Sequence, residues 1–176
     1  GSIERTNSSI STIENAGVQT QQLALQISNW NQELAEEAVE SLFLKYGNRI
    51  EAIVSNNDAM AIGAIEALQK FGYNKGDAAN YIPTFGIDGI PAAQDLIRKG
   101  LMTGTVVEDP NDTALALYAI GINLVNNKPP LEDTDYKFDK TGFIVRIPYR
   151  GIFSAKQNSE VSLAIPFLWT QPSQHF

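Results

Sequence analysis

The stretch IVSNNDAMAIGA, residues 53–64, joins a short apolar run to a polar turn and then to an apolar helical pattern. The run over 50–55 is almost continuously apolar, which is typical of a strand that is buried on both faces of a sheet. Asn56 or Asn57 can cap the helix that we predict over 58–71, because an asparagine oxygen accepts hydrogen bonds from the first free backbone amides. A strand that leads directly into a helix is the building unit of α/β folds.

The same alternation of strands and helices extends to both sides of this stretch. Further strands are predicted over 19–27, 82–87, 102–107 and 143–153, and further helices over 3–16, 31–46, 90–98 and 110–126. This order predicts an α/β domain, a Rossmann-like three-layer sandwich with a mostly parallel sheet and helices on both faces. In such sheets, ligands lie beyond the carboxyl ends of the strands.

The composition removes several classes of function. The 176 residues carry a net charge of −7 without a cluster of basic side chains, so we expect no nucleic-acid partner. No apolar run is long enough to span a bilayer. The chain contains no cysteine, which excludes disulfides, thiol nucleophiles and cysteine metal sites.

Polar or aromatic side chains follow four of the predicted strands. They are Trp30, Asn57, Asp88 and Glu108, and Arg5 lies in the first predicted helix. Carboxylates and amides pair with sugar hydroxyls, an aromatic ring stacks on the apolar face of a pyranose, and a guanidinium adds a fork of donors. Because the carboxyl ends of parallel strands meet at one edge of a sheet, these residues predict a sugar-binding site there.

Each of these residues also has an ordinary structural interpretation. Trp30 is equally compatible with a core or lid residue. Asn57 alone would serve as a helix cap, and Asp88 as a turn residue. Glu108 would suit an exposed first helical turn, and Arg5 an exposed helix face. The prediction of a site therefore depends on their shared position at successive strand ends.

The sequence contains no pattern for catalysis. His175, the only histidine, lies second from the end of the chain. No nucleophile elbow, phosphate-binding loop or dinucleotide-binding glycine pattern is present. Asp88 and Glu108 could imitate a glycosidase pair, but a sugar-binding cleft needs the same groups without acid–base tuning. We therefore predict that the chain is not an enzyme.

Residues 53–64 resemble the periplasmic galactose/glucose-binding proteins of sugar ABC transporters, as do 83–89, 101–107 and 145–149. The likeness covers about residues 4–153 and implies one lobe of a type 1 periplasmic-binding fold. It further implies a hexose-binding subunit outside the cytoplasm, either in the periplasm or as a lipoprotein on the outer face of the membrane, with the export signal upstream of these residues. Its partners would be a membrane permease and, as a further candidate, a chemoreceptor.

The resemblance assigns a role to each candidate residue. The tryptophan that stacks on the sugar in this family corresponds to Trp30, and the family's arginine corresponds to Arg5. Its asparagine and aspartate correspond to Asn57 and Asp88. Where the family has an asparagine after the Gly-Thr-Val strand, this chain has Glu108. A carboxylate only accepts hydrogen bonds, so the sugar hydroxyl there must donate, and the identity of the sugar stays open.

The resemblance also divides the chain. Residues 1–153 correspond to the C-terminal lobe, except that the helix over about 110–127 crosses to the other lobe in the family, and 154–176 form an unassigned tail. We expect that the N-terminal lobe and the first central strand are absent, which would leave unpaired strand edges and favour a homo-oligomer or strand exchange. The apolar segment 161–169 is expected to fill the vacant strand position or to pair with a partner chain.

We expect no cofactor in this chain. Glu51 corresponds to a calcium ligand of the full-length family, but the loop that completes that site is expected to be absent. With one wall of the cleft, we expect weak sugar binding or none. Two alternatives stay open: the effector-binding lobe of a LacI-type transcription regulator, and an oligomerising fragment without ligand activity.

Overall fold

The computed structural model describes residues 2–154, in which helices alternate with short strands. The helices are α1 (Ser2–Asn15), α2 (Gln32–Tyr46), α3 (Asp58–Lys70), α4 (Pro91–Arg98) and α5 (Pro110–Val125), and the strands are β1 (Ile53–Val54), β2 (Thr84–Asp88), β3 (Gly104–Val107) and β4 (Arg150–Phe153). Short 3₁₀ turns lie at Gly47–Arg49 and Ala78–Asn80. Within the described part, no helix is both long and apolar enough to cross a bilayer.

The strands form one sheet in the order β1-β2-β3-β4. β1 and β2 run parallel, with Ile53 opposite Thr84 and Val54 opposite Phe85. In a parallel pair, both strands end at the same edge. The predicted α/β architecture is therefore confirmed, and the residues that follow β1 and β2 lie at one edge of the sheet.

The central element of the core is α3. Its buried apolar residues cover most of the helix surface: Ala61, Ile62, Gly63, Ala64, Ile65, Ala67 and Leu68. On one side, Leu68 packs in a cluster with Val39 and Ile82, and on the other Ile65 packs with Ile97 and Met102. A helix that is apolar over most of its surface is stable only when that surface is covered, so α3 fixes where α2, α4 and the sheet can lie.

Asparagine side chains cap the helices on either side of the first strand. The side-chain oxygen of Asn31 accepts from the Leu34 amide at 2.8 Å, and that of Asn57 accepts from the Met60 amide at 3.0 Å. These bonds satisfy amides that have no partner inside the helix. Helix α3 therefore starts directly at the edge of the sheet, where ligands of α/β folds bind.

The predicted strand over 19–27 is wrong. These residues are irregular; Leu23 packs against the α2–α3 cluster, whereas Leu25 and Ile27 are 65% and 84% exposed. An alternating pattern becomes a strand only when a neighbouring strand satisfies its backbone groups. Within residues 2–154, no strand pairs with this segment.

The predicted strand over 143–153 is correct only at its end, where β4 begins at Arg150. Before it, the chain makes one isolated antiparallel bridge, between Phe138 and Val145. Phe143 is exposed, and Pro148 has no amide to donate to a ladder. The strand predicted over 50–55 is likewise reduced to Ile53–Val54.

The described part of the chain divides into two compact units, residues 2–106 with 151–154, and Val107–Arg150. In the second unit, the Asn123 side chain donates to the carbonyls of Pro130 at 3.2 Å and Glu132 at 2.7 Å. That α5 belongs to another lobe stays a prediction. The predictions for the tail, including segment 161–169 and His175, lie outside the described residues.

Candidate functional site

Arg5 links three segments of the first unit. Its Nη1 atom donates to the backbone carbonyl of Asn56 at 2.7 Å and to Oδ1 of Asp88 at 3.4 Å. Its guanidinium carbon lies 5.8 Å from the centre of the Trp30 ring, which is within the range of a cation–π interaction. Because Asn56 follows β1 and Asp88 ends β2, Arg5 ties α1 to the carboxyl edge of the parallel pair.

Trp30 lies in a tight turn directly before α2. Asn29 and Trp30 both have left-handed backbone angles, with φ of 48° and 65°, and the Asn31 amide donates to the Ser28 carbonyl at 2.8 Å. A bulky residue rarely adopts this conformation, and such strain is found most often at functional sites. The turn leaves Trp30 46% exposed, so part of its surface can contact a ligand.

Asn56 and Asn57 use their side chains in different ways. Asn57 caps α3 through its side-chain oxygen, which is the structural role that its sequence position also allowed. Its Nδ2 donates to the Trp30 carbonyl at 3.4 Å. Nδ2 of Asn56 donates to the Thr6 hydroxyl at 2.9 Å. The two asparagines therefore hold the Trp30 turn and α1 against the end of β1, and Asn56 is a residue that sequence reasoning left out of the site.

Asp88 ends β2 in a strained conformation, with φ of 122°, and Gly89 follows it with φ of 77°. This left-handed region is uncommon for residues other than glycine. The strained backbone places the carboxylate of Asp88 beside the guanidinium of Arg5. The pair offers acceptors and donors side by side at the edge of the sheet.

Asp58, the first residue of α3, lies buried beneath this edge. Its Oδ1 accepts from the Thr105 hydroxyl at 2.6 Å, and its Oδ2 accepts from the amides of Gly89 at 2.7 Å and Ile90 at 2.8 Å. Burial raises the pKa of Asp58, the three donors oppose that rise, and the nearby charge of Asp88 adds to it. Sequence reasoning missed this residue; its only signal was an acidic side chain at the start of a mainly apolar helix.

The structure brings together Arg5, Trp30, Asn57 and Asp88. Glu108 lies in the second unit and is exposed, so it stays a predicted member of the site. Glu51 is exposed as well, and no group of three or more acidic or histidine side chains suited to a metal ion occurs within residues 2–154. The role of Glu51 in calcium binding stays a prediction.

Curated relatives match most of this chain but less than half of their own length. The chain is 36% identical to the D-galactose/methyl-galactoside binding periplasmic protein MglB of Haemophilus influenzae over 149 residues, which is 84% of this chain and 42% of that protein. It is 31% identical to the D-allose-binding periplasmic protein of Escherichia coli over 90 residues, which is 51% of this chain and 27% of that protein.

Solved structures share the fold. An ABC transporter solute binding protein from Bacillus halodurans with bound myo-inositol superposes with a TM-score of 0.65 at 24% identity, over 92% of this chain and 50% of that one. The Caulobacter myo-inositol binding protein superposes with a TM-score of 0.64 at 20% identity, over 90% of this chain and 48% of that one. The chain thus spans about half the length of these proteins.

The sequence model of the periplasmic binding protein domain matches residues 2–129, which include α1 to α5 and the first three strands. This match covers most of the chain and includes every residue gathered at the edge of the sheet. The chain therefore belongs to the periplasmic binding protein domain family.

Proposed function

We propose that Arg5, Trp30, Asn57 and Asp88 form one wall of a hexose-binding cleft in the sugar-binding component of an ABC transporter. The observation that carries this proposal is the position of Arg5, which lies between the carboxylate of Asp88 and the ring of Trp30. The similarity to a D-galactose/methyl-galactoside binding periplasmic protein supports a hexose as the ligand. The same similarity supports an extracytoplasmic location and delivery of the sugar to a membrane permease, with a chemoreceptor as a further candidate partner.

The chemistry of this wall suits a pyranose. Asp88 accepts hydrogen bonds, Arg5 donates them, and an asparagine amide can do both, so adjacent sugar hydroxyls find matched partners. The half-exposed ring of Trp30 offers a flat surface for the apolar C–H face. These groups bind and orient a ligand, and we propose a binding protein rather than an enzyme.

Two further residues belong to the proposal. Glu108 is a further proposed sugar ligand, and it would require a sugar hydroxyl that donates, because an ionised carboxylate only accepts. This difference bears on which hexose is preferred. We propose that no cofactor is needed by this chain, and that Glu51 would hold calcium only together with a loop from the rest of a longer protein.

A single wall binds sugar weakly. Ligand pockets bury most of the ligand surface, whereas Trp30 is half exposed and water can reach the wall. Each protein–sugar hydrogen bond then replaces one with water and contributes little net free energy. We expect a dissociation constant for D-galactose or D-glucose on the order of millimolar.

Galactose is expected to shift the indole N–H resonance of Trp30 in a saturable way. The chain has two tryptophans, Trp30 and Trp169, so the measurement uses the variant Trp169→Phe, in which Trp30 gives the single indole signal. Galactose is added stepwise and ¹H–¹⁵N NMR spectra are recorded. Shifts of backbone amides should be confined to the segments around Arg5, Asn57 and Asp88.

Two variants make this titration decisive. Trp30→Ala should abolish the amide shifts around Asp88, whereas Tyr118→Ala, which removes an exposed aromatic ring on α5, should leave them unchanged. Shifts that survive Trp30→Ala, or no shift of the indole at sugar concentrations on the order of 0.1 M, would contradict the proposed site. Micromolar binding by calorimetry would contradict the weakness expected of a single wall.

A second candidate function is self-association without ligand binding. It is favoured by α5, on which Leu117, Tyr118 and Val125 are 69%, 70% and 77% exposed. Exposed apolar surface of this kind marks interaction sites or drives aggregation. We propose that a second copy of this chain covers it at high concentration.

The self-association test is light scattering coupled to size-exclusion chromatography. Mass should rise with protein concentration, and Leu117→Lys combined with Val125→Lys should restore the monomer mass. The control is Glu37→Lys, which changes an exposed charge on α2 and should leave association unchanged. A monomer at every concentration would rule out this second function.

A further inference from the structure

Asp58 is the buried group whose contacts exceed what a helix start requires. Its carboxylate accepts three hydrogen bonds, from β3 through Thr105 and from the turn after β2 through Gly89 and Ile90. Since Asn57 already caps α3, Asp58 is not needed as the capping residue. Its side chain instead joins α3, β3 and the start of α4.

The space around Asp58 is shaped for a carboxylate. A Cβ atom on Gly86 would lie 2.2 Å from Asp58 Oδ1 and 2.9 Å from the Met102 methyl group. Glycine at position 86 therefore lets the carboxylate lie against β2. The positive ends of α3 and α4 both favour an acceptor at this point.

The two amides that Asp58 holds directly follow Asp88. Asp88 is in an uncommon conformation that is energetically unfavourable and persists only where surrounding bonds enforce it. The bonds from Gly89 and Ile90 to Oδ2 of Asp58 supply that constraint at the adjoining peptide groups. The Asp88 carboxylate is thereby directed towards Arg5.

We propose that Asp58 is a positioning residue for the candidate site: it fixes the turn 88–90 so that Asp88 faces Arg5 and the ligand, without touching the ligand itself. This inference rests on the proposed function for the role of Asp88, but the constraint on the turn can be measured without any sugar. Position matters more than charge in this role, because the turn needs an acceptor at the site of Oδ2.

Two substitutions separate position from charge. Asp58→Asn can keep its oxygen on the amides of Gly89 and Ile90 and turn its NH₂ group to the Thr105 oxygen, so all three contacts survive in neutral form. Asp58→Ala leaves both amides without an acceptor. Ile97→Val is the matched control, because it removes a buried methyl group from α4 and lowers stability while all three hydrogen bonds to Asp58 remain.

The first measurement is hydrogen exchange at Gly89 and Ile90, followed by NMR. Asp58→Ala should speed exchange at both amides by at least about tenfold relative to Ile97→Val, and Asp58→Asn should stay close to the unaltered chain. If Asp58→Ala does not fold, Thr105→Val replaces it; loss of the bond to Oδ1 frees the carboxylate to rotate, and the same two amides should exchange faster.

The second measurement is the galactose titration at Trp30, with each variant held well below its unfolding temperature. Asp58→Ala should weaken binding by about tenfold or more, and Asp58→Asn should restore it to within about threefold. The proposal fails if Asp58→Ala leaves exchange unchanged, if Asp58→Asn behaves like Asp58→Ala, or if Ile97→Val weakens binding equally. An unaltered chain that shows no sugar-induced shift would refute the proposed function, while faster exchange in Asp58→Ala would still support the constraint on the turn.

Discussion

Asn74→Ala is expected to lower the free energy of unfolding by about 3–5 kcal/mol. Asn74 is fully buried, and its side chain links two segments that precede strands of the sheet. Its Oδ1 accepts from the Ile82 amide at 2.9 Å, and its Nδ2 donates to the carbonyls of Ile82 at 2.9 Å and Leu101 at 3.1 Å. The Thr84 hydroxyl also reaches the Ile82 carbonyl, so the substitution leaves the Ile82 amide and the Leu101 carbonyl without these partners.

The backbone of Asn74 adds to the loss. Its φ of 49° lies in the left-handed region, which asparagine tolerates and alanine does not favour. Asn74→Gly separates the two contributions, because glycine adopts this conformation freely but makes no side-chain hydrogen bond. We expect Asn74→Gly to be less damaging than Asn74→Ala and still clearly destabilising.

Urea unfolding followed by circular dichroism measures both variants. Asn80→Ala is the matched control, because the Asn80 side chain bonds only with exposed Asp77 among the contacts described, and it should cost no more than about 0.5 kcal/mol. Equal losses for Asn74→Ala and Asn80→Ala would show that the bridge from Asn74 to Ile82 and Leu101 contributes little.

Local patterns in the sequence were sufficient to predict the helices. The asparagine caps and apolar spacing of α2 and α3 depend on residues a few positions apart, and helix formation depends on the same distances. Strands depend on partners that are distant along the chain. The segment 19–27 has an alternating pattern but pairs with no described strand, and this could not be read from its own residues.

The residues of the candidate site likewise fall into those that local sequence patterns predict and those that depend on distant contacts. The positions of Asn57 and Asp88 could be predicted because the α/β order places the ends of β1 and β2 at one edge. That argument does not account for Trp30, whose predicted strand over 19–27 is absent, or for Arg5, which lies in α1. The roles of Asp58 and Asn74 could not be predicted, because each side chain bonds with segments at least eight positions away along the chain. Glu108 was predicted by the same strand-end argument and lies in the second unit.

Gly63→Ala is expected to lower the free energy of unfolding by about 2–3 kcal/mol. A Cβ atom at this position would lie 2.1 Å from the backbone oxygen of Gln32 and 3.1 Å from the amide nitrogen of Glu36. These are backbone atoms of α2, so no side chain can move aside and the two helices must separate. Because backbone atoms are involved, overpacking here should cost about 3–4 kcal/mol, at or slightly above the usual upper end, and the better helix propensity of alanine offsets about 1 kcal/mol of it.

The same substitution at Gly121 in α5 is expected to raise, not lower, the free energy of unfolding. Apart from the backbone of its own helix, a Cβ atom there would meet no described atom within 4 Å. Gly121→Ala should stabilise α5 by about 0.5–1 kcal/mol, which hydrogen exchange of the α5 amides can measure.

Gly63→Ala should also disturb the site, because Gln32 begins α2 two residues after Trp30. A shift of the Trp30 indole resonance in Gly63→Ala but not in Gly121→Ala is therefore expected. A stabilised Gly63→Ala with an unmoved Trp30 would mean that α2 and α3 are not in close backbone contact, and the packing that places Trp30 beside Arg5 would then need another explanation.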